Sequence, residues 1–183
     1  MLSLKQQVQD LFLKLLPRAL PWTGQNSLFL LWIGINDIGN SWWLGDWDEF
    51  HKTLLGAYFA LVDELLAAGA RNFVFVDVPP IDRSPLILAE GASSAEKVRL
   101  ALVSFNSQLS QRVTALRRRR TDVWAQLFSS DAVFTEVLDR PAQYGFANST
   151  AYCTAYQEYP IPFLPPFLPL PRIPVAARVR GDG

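Results

Sequence analysis

The chain is poor in the side chains that bind metals or form cross-links. Among 183 residues there is one cysteine, Cys153, and one histidine, His51. A lone cysteine closes no intramolecular disulfide, and in a secreted protein it suggests a missing partner. One His and one Cys far apart in sequence give little basis for zinc, so no metal is expected. Net charge is also lacking, because 17 basic residues balance 17 acidic ones. A neutral chain has no electrostatic footprint for nucleic acid or an anionic membrane as its main partner. The one basic run, Arg117 to Arg120, falls at the end of a predicted helix, where cations complement the helix dipole and stay solvated. No apolar run reaches the length of a membrane span. Met1 to Gln6 has neither the basic start nor the apolar core of a signal peptide, so the chain as written would begin in the cytosol.

What the chain does have is apolar residues in ordered patterns. Half are hydrophobic and 13% are aromatic, which excludes a disordered composition, and the length suits one domain with a real core. Residues 3–16 place Val8, Leu11, Phe12 and Leu15 at helical spacing, and Pro17 and Pro21 end that helix. Leu28 to Ile33 is an unbroken apolar run of strand length, the pattern of a strand covered on both faces. Residues 48–68 form the next predicted helix, with Phe50, Leu54, Ala57, Leu61 and Leu65 on one stripe. Phe73 to Val78 reads as a second buried strand that Pro79 and Pro80 end. Residues 81–93 read as a loop, and Ser93 with Glu96 as a capping box for a helix over 94–118. Val98, Leu102, Phe105, Leu109, Val113 and Leu116 fall on that helix's buried face. A third strand over Asp122 to Leu127 and a short helix over 130–139 follow. Strands alternating with helices predict parallel pairing in a doubly wound α/β domain with helices on both faces.

The first strand stops at Gly34-Ile35-Asn36-Asp37. Glycine permits a sharp turn there. Asn36 then lies just past the carboxyl end of a buried strand, where open α/β sheets place their ligands. An Asn amide in that place can donate to a developing oxyanion. Asn-Asp is equally ordinary turn chemistry, because both side chains bond their own backbone. Trp42, Trp43 and Trp47 follow, and clustered aromatics there suit either a sugar-stacking rim or a lid packed on the core. Packing is the expectation for that cluster.

Leu31-Trp32-Ile33-Gly34-Ile35-Asn36-Asp37-Ile38-Gly39-Asn40 resembles the third conserved block of the SGNH (GDSL-type) ester hydrolases. Within them it is closest to the fungal acetylesterases of carbohydrate esterase family 16. The likeness continues through Ala67 to Phe75, Val78 to Pro85 and Tyr144 to Asn148, and covers about residues 3–155. The resemblance implies a flavodoxin-like three-layer sandwich around a parallel sheet. It implies hydrolysis of a small ester or acetylated carbohydrate by a Ser-His-Asp triad, a Gly/Asn oxyanion hole and no cofactor. Carried over, Asn36 matches the oxyanion Asn, Gly34 shapes the turn presenting it, and Asp37 supports the loop. Pro79 and Pro80 match a structural part of the pattern.

Other parts of the pattern do not occur in these residues. Gly-Asp-Ser is absent: Gly45-Asp46 is followed by Trp47, and Gly181-Asp182 by Gly183. Asp48-Glu49-Phe50-His51 is formally the family's Asp-x-x-His, but in the wrong part of the chain, and His51 is expected to be an exposed histidine at a helix start. After Tyr156 the composition changes, and residues 160–174 carry seven of the 13 prolines. The expectation is a partial SGNH domain over 1–155, truncated at both ends, then a Pro-rich, disordered, non-native tail over 156–183. Such a chain has no nucleophile and no base, is inactive and monomeric, and dissolves poorly on its own. Two rival readings are a non-catalytic glycan-binding module using Trp42 and Trp43, and a scaffold whose Pro-rich tail recruits an SH3 or WW domain. The family is mostly secreted. In a secreted protein, Asn148-Ser149-Thr150 would be a glycosylation sequon at Asn148.

Overall fold

The structure is a computed structural model that describes residues 2–15 and 21–152. In chain order its elements are α1 (Gln6–Phe12), β1 (Phe29–Trp32), α2 (Ile35–Gly39), α3 (Trp47–Ala67), β2 (Asn72–Val76), α4 (Pro85–Ala89), α5 (Ala92–Arg119), β3 (Trp124–Phe128) and α6 (Ser130–Asp139). The described strands form one parallel sheet in the order β1-β2-β3. Parallel neighbours need a long crossover, and α3 and α5 supply the two. The fold is α/β, as the alternation of patterns implies.

The register explains the core. Phe29 pairs with Phe73 and Leu31 with Phe75, while Phe73 and Phe75 pair with Ala125 and Leu127. Side chains alternate along a strand, so these residues share one face. Phe73 and Phe75 are fully buried there. Phe59 of α3 stacks on Phe75 at 5.4 Å, and Phe12 of α1 meets Phe29 edge-on at 5.0 Å. Helix α5 closes the layer with Val98, Phe105, Leu109 and Leu116, as its spacing predicts.

The other face differs from expectation. Leu30, Val74 and Gln126 share a row, as do Trp32, Val76 and Phe128. Leu30 is 65% exposed, Trp32 54% and Phe128 51%. An unbroken apolar run implied cover on both sides of β1, but in this structure only one side of it is buried. The run is apolar because both faces carry large side chains, and composition alone does not say what covers each.

Several boundaries and faces also shift. The buried stripe of α3 is His51, Leu55, Tyr58, Phe59, Val62, Leu65 and Leu66, one position on from the expected one; Phe50 and Ala57 are exposed. Apolar residues occupy both neighbouring stripes, so hydropathy alone could not choose between them. Helix α1 is π-helical, and its wider turn carries Leu11 and Leu15 out to solvent while Val8 stays buried. Pro17 lies outside the described residues. The expected capping box does not form: α5 starts at Ala92 behind Gly91, and Glu96 pairs with Arg99 at 2.7 Å. Within the expected 81–93 loop, Ser84 caps α4 and Pro85 takes its first turn. Strand β2 ends at Val76, and the Asn106 side chain then brackets Val78, accepting from its N–H at 3.0 Å and donating to its carbonyl at 2.9 Å. Residues 1–150 cluster as one compact unit. Cys153 and the 156–183 tail lie outside the described residues.

Adjacent residues of β1 therefore answer to opposite environments. Leu31→Lys, which buries a charge, abolishes the cooperative thermal transition. Leu30→Lys changes the unfolding free energy by no more than about 0.5 kcal/mol and raises soluble yield. Circular-dichroism melts and soluble yield of the two variants check this.

Candidate functional site

The polypeptide leaves β1 through Ile33 and turns at Gly34, whose φ is 120°. A side chain does not fit there: a Cβ would stand 2.5 Å from Phe105 Cζ and 3.0 Å from Val78 Cγ2. Glycine is required by the backbone angle and by the close approach together. The expected Gly34–Asn40 loop is instead the short helix α2, in which Gly34 O accepts from the Ile38 N–H at 2.9 Å. Ile38 is fully buried and anchors α2 to the core, whereas Asn36 in its first turn is exposed. The next turn is tied back by side chains. Asn40 Nδ2 donates to Asn36 O at 2.6 Å, and buried Ser41 Oγ donates to Asp37 O at 2.6 Å. Asp37 thus takes part in holding the segment through its carbonyl.

The tryptophans divide. Trp42 and Trp47 are half-buried against the core, and Trp47 Nε1 donates to Trp42 O at 2.8 Å. Trp43 is exposed, edge-on to Trp42 at 5.7 Å. Pattern reading passed over Trp32, whose indole N–H donates to Asp77 O at 3.1 Å across the end of β2. It also passed over Asp77, an acid closing an apolar strand, which was the signal for it. Asp77 is buried, and its Oδ1 accepts from Ser130 Oγ at 3.0 Å and from the Asp131 N–H at 2.9 Å. It ties the carboxyl ends of β1 and β2 to the start of α6. Burial, then the charges of Asp77 and Asp82, pushes the Asp131 carboxyl up; burial raises Asp82 too.

His51 is not the exposed histidine its place near a helix start suggested. It is fully buried, because α3 turns that face onto α5. Its Nδ1 lies 3.1 Å from Ser104 Oγ, and Ser104 Oγ donates to Asp48 Oδ1 at 2.6 Å. With the hydroxyl proton held by Asp48, Nδ1 is the donor to Ser104. A serine whose proton faces a carboxylate and whose lone pair receives an imidazole N–H is not activated by that imidazole. The cluster holds Asp, His and Ser without the order that acyl transfer requires. His51 instead packs edge-on against Phe105 at 5.5 Å, beneath the Gly34 turn. Among the described residues no group of three His, Cys, Asp or Glu side chains is placed to hold a metal ion.

Most of the chain's length is shared with known esterases. The chain is 35% identical over 137 residues, 74% of its length, to an acetylesterase of Thermothelomyces thermophilus. It is 28% identical over 146 residues to the GDSL esterase/lipase At4g30140 of Arabidopsis thaliana, and 23% identical over 128 residues to a thermolabile hemolysin of Vibrio parahaemolyticus. Over this shared stretch the chain belongs to the GDSL-type ester hydrolases. No family model matches it. The chain spans less than half the length of these relatives: 45% of the acetylesterase, 42% of the plant enzyme and 29% of the hemolysin. Gly34, Asn36 and Asp37 fall together on one turn. Asn148 is exposed, and its Oδ1 accepts from the Thr150 N–H at 2.7 Å.

Gly34→Ala costs at least about 2 kcal/mol of unfolding free energy, from backbone strain and overlap with the Phe105 ring. Phe105→Leu in that background recovers part of the loss; a double-mutant cycle in urea checks the coupling. Burial holds the His51 pKa below its ordinary 6.5, against the opposing pull of Asp48. The unfolded chain therefore takes up this proton first as pH falls. His51's contribution is intact above pH 6.5 and is lost as pH falls from there towards the lower folded value. One proton limits the slope to about 1.4 kcal/mol per pH unit. Urea melts from pH 8 to 5 should show this component in the wild type and not in His51→Leu.

Proposed function

We propose that these residues carry the oxyanion-stabilising part of a serine acetylesterase site, of the kind found in fungal carbohydrate esterase family 16, and that they do not complete the reaction alone. The observation that carries this is Asn36, exposed at the carboxyl end of β1 on a turn locked between Phe105 and Ile38. Similarity to an acetylesterase supports the substrate class, a small acetyl ester or acetylated carbohydrate.

In this reading a nucleophile attacks the acetyl carbonyl carbon, and the π electrons move onto its oxygen. The Asn36 amide donates to that oxygen as its charge grows. Collapse of the tetrahedral species expels the alcohol. Gly34 and the Ser41 bond to the Asp37 carbonyl keep the donor in place, so no reorganisation is needed at that moment. The attacking serine and its base are not among these parts. Gly-Asp-Ser does not occur in the sequence, and the one histidine is sealed in the core with its Nδ1 committed to Ser104. A second reading, a glycan contact, rests on Trp43, whose exposed ring offers a stacking face.

Purified 183-residue chain is expected to hydrolyse p-nitrophenyl acetate and acetylated xylan no faster than a heat-treated control. Turnover that Asn36→Ala abolishes would overturn the claim that the reaction is incomplete. Calorimetry with xylo- and cello-oligosaccharides tests the second reading: heat that Trp43→Ala removes supports it, and no heat eliminates it.

A further inference from the structure

No asparagine other than Asn148 has a serine or threonine two positions on, and Ser149 between Asn148 and Thr150 is not proline. Those two conditions define an acceptor for asparagine-linked sugar. Chance supplies the triplet in many chains, and an asparagine amide that is buried or engaged is of no use to a transferase. The surroundings of the side chain therefore decide.

Asn148 and Thr150 are both exposed, in an irregular segment that follows the short helical turn Pro141–Tyr144. Phe146 anchors the start of that segment, its N–H donating back to Pro141 O at 3.0 Å. The Asn148 amide is then oriented by its own neighbour. Its Oδ1 accepts from the Thr150 N–H at 2.7 Å and from Thr150 Oγ1 at 3.0 Å. A backbone N–H only donates, so the amide atom that faces it is the oxygen and the nitrogen points away. Among the described residues nothing accepts from that nitrogen. The atom that would carry the sugar is thus presented to solvent, and the hydroxyl that completes the triplet stands beside it.

The residue two positions before Asn148 supplies a place for the sugar to lie. Phe146 is 55% exposed. Its Cα is at most about 7 Å from that of Asn148. The face of a phenyl ring is electron-rich, and the axial C–H groups of a pyranose pack on it. We propose that Asn148 is an N-glycosylation acceptor and that the first N-acetylglucosamine covers the Phe146 ring. The donor is an oligosaccharide linked to a polyprenyl diphosphate. The amide nitrogen attacks the anomeric carbon and forms the C–N bond. The C–O bond to the diphosphate breaks, the diphosphate leaves with the electron pair, and one amide proton passes to a base of the transferring enzyme. Nothing is oxidised or reduced. Neither Asn148 nor Phe146 belongs to the Gly34 turn, so the site stands apart from the oxyanion reading of Asn36.

The test expresses the 183-residue chain in yeast behind a cleavable secretion leader, with a second acceptor triplet in a C-terminal tag. Only molecules whose tag carries a glycan are scored, because these have met the transferase. Expected is a second glycan that peptide-N-glycosidase releases, with the site read by peptide mass spectrometry as aspartate at position 148. Asn148→Gln and Ser149→Pro should each lose this glycan; the proline variant keeps both the amide and the Thr150 hydroxyl. Scored molecules with position 148 bare overturn the proposal and leave the Thr150 bonds as a structural turn. The sugar's acetyl methyl and ring protons should be displaced upfield in the proton magnetic resonance spectrum by the Phe146 ring, and Phe146→Leu should abolish the displacement. A glycan at Asn148 whose protons show no such displacement overturns the covering of Phe146.

Discussion

Gly34 lies so close to the Phe105 ring that no side chain fits between them, and much of the structure depends on that contact. It joins the end of β1 to the middle of α5. Three consecutive residues of α5 then reach three separate elements. Ser104 bonds Asp48 and His51 of α3, Phe105 supports the turn after β1, and Asn106 brackets Val78 after β2. Successive helical residues are about 100° apart, so one helix turn can address three neighbours at once. The exposed Asn36 is held where it is by buried groups that never meet a substrate.

That arrangement also accounts for what could be read from the sequence. The α5 stripe was legible because a long helix against a sheet enforces one period. The turn at Gly34 was legible because a glycine ends an unbroken apolar run. The faces of α3 were not, because the choice between two adjacent apolar stripes turned on whether His51 and Tyr58 counted as core. His51 was misread for the same reason: its burial follows from the rotation of α3 against α5, which no local pattern reports. Asp77 and Trp32 were missed because their partners, Ser130 and each other's strand ends, are distant in sequence.

The sheet is asymmetric in a way that composition conceals. One face holds Phe73, Phe75 and Leu31 under two long helices, and the other leaves Leu30, Trp32, Trp124 and Phe128 in water. Both sets are large and apolar. The hydrophobic driving force is roughly proportional to area removed from water, so the covered face supplies most of it. A parallel sheet of three strands with a single covered face sits near the lower limit of what folds independently. The aromatic trio Phe12, Trp22 and Phe29, with centroids 5.0 to 5.6 Å apart, holds the N-terminal helix against β1 and limits the exposed area.

A single well-held donor marks a place for chemistry without being enough to perform it. Removing one oxyanion donor from a complete acyl-transfer enzyme costs about 3 kcal/mol of transition-state stabilisation. Enzymes lower their barriers by about 8 to 23 kcal/mol in all. The donor therefore supplies a minority share, and only after a nucleophile has begun to place charge on the carbonyl oxygen. A hydrogen bond made equally to the resting ester and to the transition state would add nothing to the rate. What α5, α2 and the Gly34 turn contribute is a fixed position for Asn36 in advance of that charge. The position has catalytic value only once a nucleophile is supplied to attack the carbonyl.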